Sequence, residues 1–265
     1  MNILEKIIAS KKNSVKQRKD WYGIKKLEAF EHYERDCESL VKKLKDKNSS
    51  GIIAEYKRKS PSKGIINDTS SIEDVVSAYE LNGAAGISIL TDDEFFGGSN
   101  EDMIRAREIV DCPLLRKDFF IDEYQLVEAK AIGADVILLI AACLSPAEVK
   151  SLSRFARSLS LEVILEIHEE NELGHMCNDV DIIGVNNRDL KTFEVNLRQS
   201  ERLSGMIGDQ RVKISESGIN GAKDIIYLKQ HGFDGFLIGE NFMKQKDPGK
   251  AFGDFNSELR TLLES

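Results

Sequence analysis

Residues 52 to 64 read Ile52-Ile-Ala-Glu-Tyr-Lys-Arg-Lys-Ser-Pro-Ser-Lys-Gly64, an apolar run that passes into charge. In a strand, alternate side chains share a face, so Ile53, Glu55 and Lys57 point the same way. A face that was only core would stay apolar. An acid and a base on it make sense where the strand's end opens into a polar pocket. The pattern recurs as Leu115 with Lys117, Ile164 with Glu166 and Ile214 with Glu216. Several strands that each run from buried to reactive in one direction define the mouth of a single site.

Working outward, the same unit repeats after about residue 48: a short aliphatic run, a polar turn, then an amphipathic segment. The runs 52–57, 86–91, 113–117, 135–140, 161–166, 181–185, 211–215 and 235–239 read as strands. They are almost continuously apolar, as in Val136-Ile-Leu-Leu-Ile140, which is what parallel strands covered on both faces require. Between them the period lengthens. Ile72, Val75, Val76 and Tyr79 form one helical stripe with Ser71 as its cap. In 122–132, Leu126, Val127 and Ala129 are expected to pack while Glu123, Gln125 and Glu128 face water. Gly83, Gly133 and Gly232 each follow a helical run and precede a strand, as C-caps do. Eight such units predict an α/β fold, a closed (β/α)8 TIM barrel spanning 49–265, with 1–48 as an N-terminal helical extension packed on it. An open doubly wound sheet is the rival, but Gly-x-Gly-x-x-Gly is missing after every strand. In the extension, Leu27, Phe30 and Tyr33, then Leu40, Val41 and Leu44, continue an apolar stripe; spacing alone leaves open whether it covers the barrel's bottom or crosses its mouth.

The 265 residues are 41% hydrophobic with a net charge of −8, enough for one large core. Residues 1–50 hold 13 Lys/Arg against 8 Asp/Glu, so the remainder is strongly acidic. An acidic body argues against nucleic acid as a partner. The basic start, with Lys11, Lys12, Lys16, Arg18 and Lys19, reads as a solvated helix face rather than an RNA contact. Cysteines 37, 112, 143 and 177 form no C-x-x-C pair and read as reduced small hydrophobes. The start Met-Asn-Ile-Leu-Glu-Lys has no export core, and the longest apolar run is far short of the roughly 20 residues that span a bilayer. The expectation is a cytoplasmic protein with no membrane partner, a monomer or weak homo-oligomer. No spacing among His32, His168, His175 and His231 suggests a metal, and Asp92-Asp93 reads as a helix cap. His32 and His175 are expected at the surface; His168, two residues beyond Glu166, has a place behind it only as the lesser alternative.

Two segments look built for a phosphate: Ile214-Ser-Glu-Ser-Gly-Ile219 and Leu237-Ile-Gly-Glu-Asn241. Gly218 and Gly239 let backbone N–H groups approach an anion, and 240–244 can form a short helix. Either glycine alone reads as an ordinary turn residue. Both together, after strands seven and eight, point to the phosphate position of such barrels.

With the 52–64 run stand Ile89-Leu-Thr-Asp-Asp-Glu-Phe-Phe-Gly-Gly98, Leu115-Arg-Lys-Asp-Phe119, Leu165-Glu-Ile167, Ile183-Gly-Val-Asn-Asn-Arg-Asp-Leu190, Ser215-Glu-Ser-Gly218 and Leu237-Ile-Gly-Glu240. Together they resemble the indole-3-glycerol-phosphate synthase family of tryptophan biosynthesis over essentially all of 50–245. The resemblance implies ring closure, decarboxylation and dehydration of 1-(2-carboxyphenylamino)-1-deoxyribulose 5-phosphate, a small phosphorylated substrate, with neither metal nor cofactor. It implies Lys117 as general acid, Glu166 as the base of the dehydration, Lys57 as a proton donor or phosphate partner, and Glu55 and Glu216 as groups that orient the lysines. Asn186 joins them at the reacting centre. Ser60, Phe96, Arg188 and Ser217 complete the substrate pocket, with Phe96 as a plane for the ring and Arg188 on substrate or bracing Glu216 and Asp189. Lys57, Gly218, Ile219, Gly239 and Glu240 hold the phosphate. The loop around Lys63 and Gly64 is suited to closing over substrate. Phosphoribosylanthranilate isomerase is a related alternative, but its chemistry wants a cysteine and an aspartate. A noncatalytic phosphate-binding barrel has no reason to keep acid and base across one mouth.

Overall fold

The computed structural model describes residues 3–189 and 194–264; Leu190, which ends one of the quoted motifs, lies outside them. Eight parallel strands close into a barrel: β1 (Ile52–Tyr56), β2 (Gly86–Leu90), β3 (Leu114–Lys117), β4 (Val136–Ile140), β5 (Glu162–Ile167), β6 (Ile182–Asn186), β7 (Val212–Glu216) and β8 (Gly235–Ile238). Each pairs with its sequence neighbours and β8 pairs with β1, so the barrel itself has no open edge; Lys59–Ser60 and Gly64–Ile65 form a separate antiparallel pair in the loop after β1. Every expected strand is present within two residues at either end.

Alternation along the strands sorts the residues into two layers. Ile53, Leu115, Leu138, Ile164, Ile182, Ile214 and Leu237 fill the barrel interior. Their outward neighbours, among them Ala54, Ile137, Leu165, Ile183 and Phe236, pack under the surrounding helices. Those helices are α4 (Ile72–Leu81), α5 (Asp93–Phe96), α6 (Asn100–Arg107), α7 (Glu123–Ala131), α8 (Pro146–Ser158), α9 (Arg198–Ile207), α10 (Ala222–Gln230), α11 (Glu240–Met243) and α12 (Pro248–Glu264). The stripe Ile72, Val75, Val76, Tyr79 is buried, and Ser71 Oγ accepts from Asp74 N. Gly83, Gly133 and Gly232 all take positive φ at helix ends. One unit departs from the repeat: between β5 and β6 runs a single 3₁₀ segment, Glu170–His175, in place of an α-helix.

The first 48 residues do both things the spacing left open. After α1 (Ile3–Trp21) and α2 (Ile24–Leu27), α3 (Leu40–Lys45) drives Leu40 and Leu44 into the lower end of the barrel, against Gly86 and Gly235 at the starts of β2 and β8. Helix α1 lies at the opposite end, with Ile3, Leu4 and Ile7 at the mouth.

Helix α1 also corrects the reading of the basic start. Lys12 and Lys16 are exposed, but Lys11 is buried, 2.7 Å from Asp92 Oδ2 and 2.6 Å from Asp118 Oδ1. Lys19 reaches Asp122 at 2.7 Å and Arg18 approaches Glu128 at 3.4 Å. Lys12 and Lys16 keep the solvated face expected of the basic start, whereas Lys11, Arg18 and Lys19 dock the helix. Asp92 caps α5 as expected and serves Lys11 as well. Gln125 and Glu128 do not face water either: fully buried Arg116 donates to Glu128 at 2.7 Å and to the Gln125 carbonyl. A barrel helix has a second neighbour, the extension, so its outer face is not all solvent.

Candidate active site

At the C-terminal ends of the strands the inner layer turns from aliphatic to charged, one step beyond Ile53, Leu115, Ile164 and Ile214. The Lys117 ammonium stands at the centre. It donates to Glu216 Oε2 and lies 3.7 Å from Glu166 Oε2 and 4.0 Å from Glu55 Oε2. Lys57 Nζ holds the other Glu55 oxygen at 2.5 Å. Burial works against the Lys117 ammonium, but Glu216, Glu55 and Glu166 outweigh it and its pKa is raised. Burial likewise works against the Glu55 carboxylate, which Lys57 and Lys117 nevertheless hold below the ordinary carboxylate range. Glu166 goes the other way. Burial, then the Glu216 carboxylate, push it up to about 7, against the pull of Lys117 and a hydrogen bond from Asn186. Three carboxylates around one ammonium, two cations in all, leave one acid short of a counter-charge, and the protein makes it Glu166.

A cavity of about 470 Å³ lies over this cluster. Glu55, Lys57, Ser60, Phe96, Lys117, Glu166, Asn186, Arg188, Ser217, Gly218, Ile219, Gly239 and Glu240 all line it. Glu216 does not; it is 1% exposed and sits beneath Lys117. At the far end from Phe96, β7 leads into a turn in which Ser217 (φ 67°) and Gly218 (φ 77°) both take left-handed conformations. A left-handed conformation is strained for a serine, so Ser217 is a constrained residue at the rim. Helix α11 starts at Glu240, so its first N–H groups have no partner within the helix.

Several expected roles change in detail. Arg188 does not brace Glu216: its Nη2 lies 3.6 Å from Glu240 Oε2, and Lys63 Nζ lies 3.8 Å from Glu240 Oε1. The Glu240 carboxylate therefore lies between Lys63 of the loop after β1 and Arg188. Gly239 serves a second need, since a Cβ there would stand 2.5 Å from Glu55 Oε1. His168 takes the alternative the sequence favoured less: its Nδ1 lies 2.7 Å from the carbonyl oxygen of Asn186, a residue of the cavity. His175 is half-buried rather than at the surface, 2.9 Å from the Leu144 carbonyl oxygen.

The sequence reading missed part of the lining. Ile3, Leu4 and Ile7 arrive from α1, and Phe119 lies 6.1 Å from Phe96, ring centre to ring centre. Phe119 closes the Leu115–Phe119 motif and was within reach. The three aliphatics were not, because nothing local distinguishes a helix over the mouth from one over the base.

The model of the indole-3-glycerol phosphate synthase family matches residues 4–255. An indole-3-glycerol phosphate synthase of Bacteroides thetaiotaomicron is 45% identical over 254 residues, covering 96% of this chain and 97% of that one. Those of Acinetobacter baylyi and Sulfurisphaera tokodaii are 40% identical over 94% of this chain and 47% over 80%, covering 94% and 84% of their own lengths. Among solved structures, a tryptophan synthase α-subunit from Pyrococcus furiosus superposes with a TM-score of 0.60 at 15% identity, over 80% of this chain and 98% of that one, a likeness of fold alone. The mouthward cluster, the turn after β7 and these relatives converge: the chain belongs to the indole-3-glycerol phosphate synthase family of carbon–carbon lyases.

Proposed function

We propose that this chain closes the indole ring of 1-(2-carboxyphenylamino)-1-deoxyribulose 5-phosphate, with loss of CO2 and water, in the cavity above Lys117. The observation that carries the reading is a single ammonium ringed by Glu55, Glu166 and Glu216 at one end of that cavity, with the left-handed Ser217–Gly218 turn at the other. The phosphate takes the amides of Gly218, Ile219, Gly239 and Glu240, with Lys57 as its nearest cation from the cluster. The carboxyphenyl ring lies toward Phe96, in the apolar part that Phe119 and α1 enclose, while Ser60, Asn186, Arg188 and Ser217 fix its polar groups.

Ring closure needs the C2 carbonyl to accept electrons as the arene carbon attacks. Lys117 donates a proton to the developing alkoxide, and its ammonium stabilises the charge in a site dry enough for that to matter. Loss of CO2 restores the aromatic ring. In the dehydration Glu166 takes the proton from nitrogen while the hydroxyl leaves as water with a proton from Lys57 or Lys117. Loss of a C1 proton with return of one to nitrogen completes the indole. A carboxyl with a pKa of about 7 suits this task, since it is available as a base at neutral pH. Glu55 and Glu216 keep the two lysines charged and in place.

The test supplies this substrate to the purified chain and follows indole fluorescence, with and without a chelator. Turnover unaffected by chelation is expected, because the positive charge comes from Lys117; no turnover would overturn the reaction. We take the site to operate in the cytoplasm, in a monomer or weak homo-oligomer with a barrel of 49–265 under an extension of 1–48. Sedimentation at working concentration tests the assembly state. No described helix is long and apolar enough to cross a membrane.

A further inference from the structure

Gly184 stands on the inner face of β6, paired in register with Glu166 of β5 and Ile214 of β7. Inner positions of such barrels are normally filled by bulky branched side chains, as Ile182 does two residues earlier. Its φ is not positive, so the backbone does not demand glycine. The space does. A Cβ at this position would stand 2.5 Å from Glu216 Oε1, 3.2 Å from Ile164 Cγ2 and 3.5 Å from Ile214 Cγ1. That carboxylate oxygen is buried and has no hydrogen-bond partner, while its twin, Oε2, accepts from Lys117. Only the shape of the slot and the bond to Lys117 define where the carboxylate lies.

We infer that Gly184 is a positioning residue: its missing side chain forms the slot that sets the depth of the Glu216 carboxylate and, through it, the place of the Lys117 ammonium under the reacting carbonyl. The inference rests on the reaction proposed above. The atom most in the way of an added methyl is the far end of a flexible glutamate, with Lys117 and then the cavity above it, so the fold can accept alanine by lifting the carboxylate and the ammonium together. The chemistry cannot. A lifted carboxylate carries Lys117 with it and changes its distance to Glu166, whose pKa Glu216 raises second only to burial. The turn at Ser217–Gly218 and the start of α11 make no contact with the added methyl.

The experiment compares the parent chain with Gly184→Ala, Glu216→Ala and the double variant in kcat, KM, pH profile and Tm. Gly184→Ala is expected to lower kcat by about 10- to 100-fold, the scale of a misplacement near 1 Å. KM and Tm should stay close to the parent's, and the limb of the pH profile near neutrality should move. In the Glu216→Ala background, Gly184→Ala should change nothing further, because the residues then no longer share a contact. Parent-like kcat and an unmoved limb in Gly184→Ala would overturn the assignment, as would an equal loss in both backgrounds. Should Gly184→Ala alone fail to fold, the double variant decides: folding with the activity of Glu216→Ala supports the assignment, and failure to fold overturns it. An inactive parent chain would overturn the reaction and this assignment together, whereas an active parent with an indifferent Gly184→Ala overturns this assignment alone.

Discussion

Lys117 and Glu166 lie 3.7 Å apart, and their surroundings raise the proton affinity of both. Neighbouring carboxylates favour the proton on each; what differs is burial, which works against the lysine's proton and for the glutamate's. Lys117 meets three carboxylates and keeps its proton; Glu166 meets Glu216 and gives up its own only near neutrality. Lys117→Met is therefore expected to lower kcat by ~10²–10⁴-fold, the range of a lost general acid, with substrate binding retained in a direct titration. The pH profile of kcat/KM should show activity rising through about 7, the value of Glu166, with that limb absent in Glu166→Gln. Stability should move the other way. A carboxyl whose folded pKa is raised contributes stability below its unfolded value that is lost as pH rises through about 7. Glu166→Gln should accordingly melt a few degrees above the parent at pH 8, a gap that closes at low pH. Thermal melts at the two pH values check this, and equal shifts at both would refute it.

Single elements carry two duties on opposite faces. In β3 and its exit, Lys117 points into the barrel while Arg116 and Asp118 point out, where Arg116 donates to Asp118 and Glu128, and Asp118 receives Lys11 of α1. The Arg-Lys-Asp run is one reactive residue between two structural ones. Burial works against the Asp118 carboxylate, but Lys11 and Arg116 hold it down to about 2. Its contribution to stability is present above the unfolded carboxylate value and is lost as pH falls toward 2. Lys11→Met takes the ammonium from buried Asp92 and leaves Asp118 with Arg116 alone, so a loss of about 3–5 kcal/mol is expected, the usual result of breaking such a pair from one side. Denaturant unfolding at neutral pH measures it, and the loss should shrink as acid protonates the two carboxyls.

For the whole molecule, the two ends of the barrel are separable. Leu44 sits under the barrel with Leu40, far from the charged mouth. Leu44→Ala should cost about 2–5 kcal/mol of stability, as buried leucines do, while kcat and KM stay unchanged. A raised KM would mean that the lower plug and the mouth are coupled. Much of this arrangement was legible in advance. Eight aliphatic runs ending in charge specify a closed parallel barrel because alternation is a local property of the chain, and it puts Glu55, Lys57, Lys117, Glu166 and Glu216 on one face at one end. Local pattern also marked the turn at Ser217–Gly218. It could not assign Lys11 to Asp92 and Asp118, bury Gln125 and Glu128, put Ile3, Leu4 and Ile7 over the cavity, or pair Arg188 with Glu240. Nor could it tell that Gly184 makes room for an oxygen of Glu216, a residue 32 positions away. The one-dimensional order therefore determined the barrel, its polarity and its acid–base inventory, all of which follow from period and residue type. Which charge neutralises which, and so which carboxyl is left to titrate near neutrality, was decided only in three dimensions, because Coulomb energy and desolvation depend on distances between strands that the chain brings together only on closing.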